Sequence, residues 1–305
     1  MIKELLNERI LILDGAMGTM IQTNSLPEKG YSDMLNINNP AVIESIHTQY
    51  LVAGADIIET NTFNSNEISL SACQMEKEVR ELNLKGAQIA RKAADDFTAK
   101  TPDKPRLVAG SVGPSSQNIP FPLLRSAFRE QMEALIEGGV DFLLIETSYH
   151  LLNTKAALMA AEEAMEYMQR TVPILLSFTI SGENGTLFSG ESLEEAIASL
   201  AHYPLLAIGL NCSFGAEYIK PFLKKLKEIS PCYIMAYPNA GLPDKEGKYE
   251  ETPESFALQV QEYLDESLIN IIGGCCGTTP AHIEAISQLL KNNTCHSHKP
   301  IISNK

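Results

Sequence analysis

The sequence predicts an α/β fold built as one (β/α)8 barrel of the TIM type, and three observations carry that prediction. Eight short apolar runs end in polar or glycine-rich clusters, and a segment of helical periodicity follows each. The run ends at Glu146, Thr179 and Cys212 recur 33 residues apart, about one β/α unit, and eight units close a barrel. In chain order, run 10–13 leads to helix 40–53, run 55–59 to helix 67–97, run 107–110 to helix 122–137 and run 141–146 to helix 152–169. Run 173–179 leads to helix 193–202, where Ser192 and Glu195 fit a capping box. Run 205–210 precedes helix 216–229. Runs 233–237 and 270–274 precede helices 253–263 and 280–290, which Thr252-Pro253 and Thr279-Pro280 open with a capping hydroxyl before a first-turn proline. No repeat, charge block or linker interrupts the pattern, so the barrel is expected over residues 1–292, with a polar tail at 293–305. The tail holds Cys295, His296 and His298 without a fixed geometry.

A chain of 305 residues, 44% hydrophobic, can bury a sizeable core without disulfides. Its formal charge of −14 repels phosphate backbones, and no basic stripe with interleaved aromatics is present, so no nucleic-acid partner is expected. Lys3, Glu4, Glu8 and Arg9 break the first apolar positions, and no later apolar run is long enough to span a bilayer. Six cysteines, two of them adjacent, suit metal ligands or core thiols of a cytoplasmic protein better than a secreted disulfide framework.

In such barrels the chemistry sits where the strands end at their carboxyl side. The residues there are Asp14, Glu59-Thr60-Asn61, Ser111, Glu146-Thr147, Thr179, Asn211-Cys212, Asn239 and Cys275-Cys276. Cys212 follows the sixth strand and the cysteine pair follows the eighth, with one strand between them. Three thiolates are soft ligands suited to zinc, and a three-ligand set leaves the fourth tetrahedral position open, as a catalytic site requires. Glycines on both sides of the pair let adjacent residues turn toward one ion. Cys73, within a helical segment, and Cys232, before the seventh strand, read as structural.

Five motifs carry a resemblance: Leu13-Asp14-Gly15-Ala16-Met17-Gly18-Thr19-Met20, Gly54 to Phe63 (GADIIETNTF), Gly209-Leu210-Asn211-Cys212, Pro238-Asn239-Ala240-Gly241-Leu242-Pro243, and Gly273 to Pro280 (GGCCGTTP). Over roughly residues 5–290 the chain resembles the homocysteine S-methyltransferase family, most of all the homocysteine-binding module at the amino end of cobalamin-dependent methionine synthase. That resemblance implies a (β/α)8 barrel, one Zn2+ held by Cys212, Cys275 and Cys276, and homocysteine as the methyl acceptor. It also supports Glu146 as the partner of the substrate ammonium. Asp14 is a second candidate for that role, and backbone N–H groups in the turn from Gly15 and Ala16 to Gly18 are candidates for the carboxylate. Thr60, Asn61 and Asn239 complete the candidate substrate set, with Asn239 able to fill the open metal position before substrate arrives.

The expected donor is methylcobalamin carried by a separate corrinoid protein, with a folate methyltransferase as a further partner. Two alternatives stay open: S-methylmethionine or another sulfonium or betaine-like donor, and a zinc-holding subunit without turnover of its own. Schiff-base chemistry is excluded because no strand end carries a lysine.

Overall fold

Alternation of apolar side chains along each run produces two separate apolar surfaces, and a closed parallel sheet with helices outside is the arrangement that buries both. In the computed structural model, which describes residues 2–23, 31–116, 118–182 and 184–293, the eight runs form strands β1 (Leu11–Ile12), β2 (Ile57–Glu59), β3 (Leu107–Val112), β4 (Phe142–Ser148), β5 (Ile174–Phe178), β6 (Leu205–Gly215), β7 (Tyr233–Asn239) and β8 (Ile271–Ile272). All pair in parallel, in the order β1-β8-β7-β6-β5-β4-β3-β2. A parallel bridge between Leu13 and Ile57, with Asp56 N–H donating to Ile12 O at 2.7 Å, brings the two ends of the sheet together. The fold is a single-domain, nearly closed barrel.

Leu11, Leu13, Ile57, Leu107, Ala109, Phe142, Leu144, Leu175, Ala207, Met235 and Ile271 fill the interior. Their neighbours Ile12, Ile58, Val108, Leu143, Ile145, Leu176, Ile208 and Ile272 point outward into the layer beneath the helices. Truncating one of these fully buried leucines to alanine costs about 2–5 kcal/mol. The amino-terminal helix Ile2–Glu8 lays Leu6 against the interior cluster, and Tyr233 Oη donates to Asn7 Oδ1 at 2.8 Å. This helix lies against the amino ends of the strands, opposite the end where the polar residues gather.

Most helices fall where periodicity placed them; Pro40–Ala53 and Ala216–Ile229 coincide with their expected bounds. The expected helix 67–97 is instead broken into Glu67–Ser71, a 3-10 turn at Glu76–Glu78, and Val79–Lys100. Gln74 takes φ 59° between the first two, a left-handed turn that stops an α-helix, so exposed Cys73 lies in that turn rather than in a helix. Helices Ile2–Glu8 and Met17–Thr23 were not anticipated, being too short to develop a periodic stripe. Cys232 sits just before β7, packed against the core. The tail residues Cys295, His296 and His298 lie outside the described residues. No helix among the described residues is long and apolar enough to cross a membrane.

Candidate active site

Strand alternation carries the interior row of side chains past its apolar layers and onto polar residues at the carboxyl end. Ile57 faces inward, so Glu59 does too; the same parity turns Ser111, Glu146, Ser177, Asn211, Tyr237 and Asn239 toward the barrel mouth. All of these are buried except Glu59, which retains slight exposure.

The cysteines come from two strand ends with different local devices. At the end of β6 the pairing register with β7 shifts between Asn211 and Gly215, and both Cys212 and Ser213 take φ 60°. Two consecutive non-glycine residues in the left-handed region cost about 1–3 kcal/mol each, a strain concentrated on the residue that must turn its sulfur. After β8, Cys275 to Thr278 form a tight turn in which Thr278 N–H donates to Cys275 O at 3.0 Å, with Gly277 at φ 82°. Neighbouring strand ends pin the turn: Gly274 N–H donates to Asp14 O at 3.0 Å, Cys275 N–H to Pro238 O at 2.8 Å, and Ala240 N–H to Cys276 O at 2.9 Å.

The three sulfurs lie within 4.8 Å of one another, the cluster of metal-ligating side chains found among the described residues. Tetrahedral zinc with sulfur at about 2.3 Å places its ligand sulfurs about 3.8 Å apart. Cys212 Sγ and Cys276 Sγ are 3.9 Å apart, so the donor set fits that ion in number, softness and spacing. Hydrogen bonds from Cys212 and Cys275, and one from the Tyr249 hydroxyl, hold the Cys276 thiol down to about 3, whereas Cys275, on the donating side, is pushed well above the usual thiol range.

Asn211 ties the cluster to β4. Its Nδ2 donates to Thr147 Oγ1 at 2.9 Å and lies 3.8 Å from Cys275 Sγ, while its Oδ1 accepts Thr147 N–H at 3.1 Å and Ser177 Oγ–H at 2.7 Å. Thr147 is itself left-handed, φ 55°, directly after Glu146.

Three carboxyl groups face one another next to the sulfurs. Burial pushes Glu146 up to about 7 against the opposing effect of a hydrogen bond from Ser111 Oγ, and the Cys276 charge adds to the rise. Burial raises Asp14 well above the carboxylate range, with the Glu146 charge adding to it, although Glu59 N–H donates to Asp14 Oδ2 at 3.0 Å. Glu59 is raised by burial, then by Glu146 and Asp14. Asp14 Oδ1 and Asn239 Oδ1 are buried without a hydrogen-bond partner among the described residues.

The remaining candidates are placed differently. Thr60 Oγ1 accepts Ser111 N–H at 2.9 Å and bonds Thr62 Oγ1 at 2.6 Å, and Asn61 Nδ2 donates to Ser32 O and Asn36 Oδ1, so both side chains brace the loop after β2. Ala16 N–H donates to Thr278 Oγ1 at 3.2 Å, and Gly15 passes so close to Thr278 and Tyr50 that a Cβ would stand 2.8 Å from Thr278 Oγ1. Sequence reasoning named Glu59 and Asn211 at strand ends without carrying them into the candidate substrate set, and it did not select Tyr237 or Tyr249. Inward parity with Ile57 would have singled out Glu59 from its neighbours.

The sequence matches the family described as homocysteine S-methyltransferase over residues 11–290. The fold is similar to that of the homocysteine methyltransferase MmuM from Escherichia coli at 28% identity. Its metallated form aligns over 94% of this chain and 98% of that one with a TM-score of 0.79. The oxidized form gives 92%, 95% and 0.77, and the apo form 92%, 95% and 0.71. These relatives correct the donor expected from sequence. The likeness runs end to end over a homocysteine methyltransferase rather than specifically to a module of a cobalamin-dependent synthase, and nothing in the site or its relatives supports methylcobalamin, a corrinoid protein or a folate methyltransferase. They also exclude the reading as a zinc-holding subunit without turnover. The chain belongs to the homocysteine S-methyltransferase family and is an enzyme that methylates the homocysteine thiol.

Proposed function

We propose that the enzyme takes its methyl group from a sulfonium, S-methylmethionine or a close analogue, and passes it to homocysteine bound at the mouth of the barrel. The observation that carries this reading is the group of three buried carboxyls, Asp14, Glu59 and Glu146, beside three cysteine sulfurs. Burial holds these carboxyls toward the neutral form, and the ammonium that homocysteine brings favours ionisation of the nearest one. A second cation, the donor, is favoured by what remains, and its charge disappears as the methyl group leaves and a neutral thioether forms. The carboxyls contribute to binding the cationic donor, and the displacement itself is favoured by holding thiol and methyl group in line.

Cys212, Cys275 and Cys276 would hold the zinc ion, as the metallated state of the Escherichia coli relative supports. When bound, zinc supplies the Lewis acidity that keeps a substrate thiol deprotonated at neutral pH. The chain's own groups do the rest. Glu146, oriented by Ser111 and backed by Asp14, pairs with the substrate ammonium, and proximity to that ammonium draws its proton off. Backbone N–H groups of the Gly15 to Gly18 turn other than that of Ala16, which Thr278 Oγ1 accepts, are assigned to the substrate carboxylate. Asn239 Oδ1, buried and without a hydrogen-bond partner among the described residues, is the oxygen assigned to the open ligand position until homocysteine arrives. The inward ring of polar residues fixes the acceptor sulfur so that it meets the donor methyl in line, which converts a bimolecular encounter into an oriented one. The barrel domain is assigned to residues 1–292, with 293–305 as its tail.

The test is direct. Purified zinc-loaded protein incubated with homocysteine and S-methylmethionine, without any corrinoid, is expected to form methionine catalytically. Absence of turnover with every sulfonium and betaine donor tried would remove this reading of the donor.

A further inference from the structure

The Tyr237 hydroxyl, like Asp14 Oδ1 and Asn239 Oδ1, is buried without a hydrogen-bond partner among the described residues. The two oxygens have ligand roles assigned above, whereas the hydroxyl has none. Resting on the reading of Glu146 as the partner of the substrate ammonium, we infer that Tyr237 is a positioning residue for homocysteine. Its hydroxyl donates to Glu146 once the ammonium has ionised that carboxyl, and so favours thiols that carry an ammonium.

Tyr237 lies on β7, and strand alternation turns it inward together with Tyr233 and Met235. Registers round the sheet, combined with the stagger of a closed barrel, bring Ser111 of β3, Ser177 of β5 and Tyr237 of β7 into one interior layer. In that layer β3 stands across the barrel axis from β7. The two serines are short and leave room for the tyrosine ring, which is buried. The hydroxyl is thereby carried toward Ser111, the residue whose Oγ donates to Glu146.

The neighbouring donors are already engaged. Ser111 Oγ is bonded to Glu146, and Ser177 Oγ donates to Asn211 Oδ1 at 2.7 Å. Asn211, level with Tyr237 in the strand ladder, gives its Nδ2 to Thr147 Oγ1 at 2.9 Å. Burial, and then the charges of Glu146 and Glu59, push the Tyr237 phenol well above its usual range, so it keeps its proton. It is a donor held in reserve.

Glu146 changes what it requires when substrate binds. As a carboxylate beside an ammonium it only accepts, it has room for donors beyond Ser111, and bonds to a charged acceptor are the stronger ones. The bond from Tyr237 therefore forms with the ion pair and is absent from the free protein. A thiol without an ammonium does not ionise Glu146 and gains nothing from the hydroxyl.

Zinc-loaded wild type, Tyr237→Phe, Glu146→Gln and the double variant are titrated calorimetrically at one fixed pH with homocysteine and with 4-mercaptobutanoate, which keeps the thiol and the carboxylate and lacks the ammonium. Phenylalanine keeps the ring in its layer and removes only the hydroxyl. Tyr237→Phe is expected to bind homocysteine about tenfold more weakly and 4-mercaptobutanoate unchanged, with no further effect once Glu146 is glutamine. Because the hydroxyl has no partner in the free protein, the urea midpoint of substrate-free Tyr237→Phe should equal or exceed that of wild type. No methyl donor takes part, so the choice of donor does not enter the result. Glu146→Gln alone reports on the ammonium reading: if it treats both thiols as wild type does, that reading fails and this inference with it. With that reading intact, an equal loss for both thiols, no loss for homocysteine, an undiminished effect in the Glu146→Gln background or a lowered urea midpoint overturns the inference by itself.

Discussion

Asn211 and Cys275, 64 residues apart in sequence, meet through an amide nitrogen 3.8 Å from a sulfur. The same amide accepts Thr147 N–H at 3.1 Å, so one side chain links a cysteine of the sulfur cluster to the left-handed residue that follows Glu146. The sulfur cluster and the carboxyl group are in this way positioned by a shared support.

Replacing Asn211 with leucine leaves buried donors at Thr147 and Ser177 without an acceptor and removes the contact to Cys275. We expect a loss of about 2–4 kcal/mol in urea unfolding, from several unsatisfied polar groups. Zinc affinity, measured by chelator competition, should fall about 10- to 100-fold, as for other residues that orient metal ligands. Unchanged zinc affinity would show that Cys275 is held without Asn211.

Glu146 sets a pH dependence on substrate recognition. Its carboxyl, raised from 4.5 to about 7 in the substrate-free protein, is protonated and neutral below that pH, when it cannot pair with an ammonium. Methionine carries the ammonium without a thiol, so its calorimetric affinity isolates this group. Affinity should rise as pH increases through 7, approaching about tenfold per unit below that point, and flatten above it. In Glu146→Gln the rise should be reduced and binding weaker throughout, with zinc content unchanged. A wild-type affinity independent of pH between 5.5 and about 8 would contradict this role.

His47 gives the fold an acid weakness away from the site. It is fully buried in the helix Pro40–Ala53, neither ring nitrogen has a partner among the described residues, and burial lowers it from 6.5 to about 3. The folded state refuses a proton that the unfolded chain accepts. The stability present above pH 6.5 is therefore lost as pH falls from 6.5 toward 3, by up to about 1.4 kcal/mol per unit. His47→Leu should be less sensitive over that window in urea titrations at several pH values. Equal pH slopes for the two proteins would show that His47 finds a proton acceptor on its own.

The barrel was legible because its strands and its long helices each bury one periodic face, and the strand-end rule then led to Cys212, Cys275, Cys276, Glu146 and Asp14. The devices that aim those residues were not. Left-handed φ at Thr147, Cys212 and Ser213 falls on residue types that carry no such signal, since glycine or asparagine would mark it. The Tyr249 ring packs on Gly277 from a loop 28 positions earlier, a contact that only tertiary packing creates. Thr60 and Asn61 looked equivalent to Glu59 as polar strand-end residues; parity with Ile57 separates Thr60, whereas Asn61 shares that parity but lies past the end of β2, held by Ser32 and Asn36. The methyl donor was misjudged because the motifs report the thiol and its metal, which are common to homocysteine methyltransferases whatever their donor.

The central claim is that Cys212, Cys275 and Cys276 hold zinc with a place left for the substrate sulfur. Zinc-edge X-ray absorption on the purified protein, before and after homocysteine, tests it most directly. The account predicts three sulfur ligands at about 2.3 Å becoming four on addition of homocysteine, with stoichiometric zinc that is lost in Cys276→Ser. A metal-free protein from zinc-replete cells, or a ligand shell that homocysteine leaves unchanged, would contradict it.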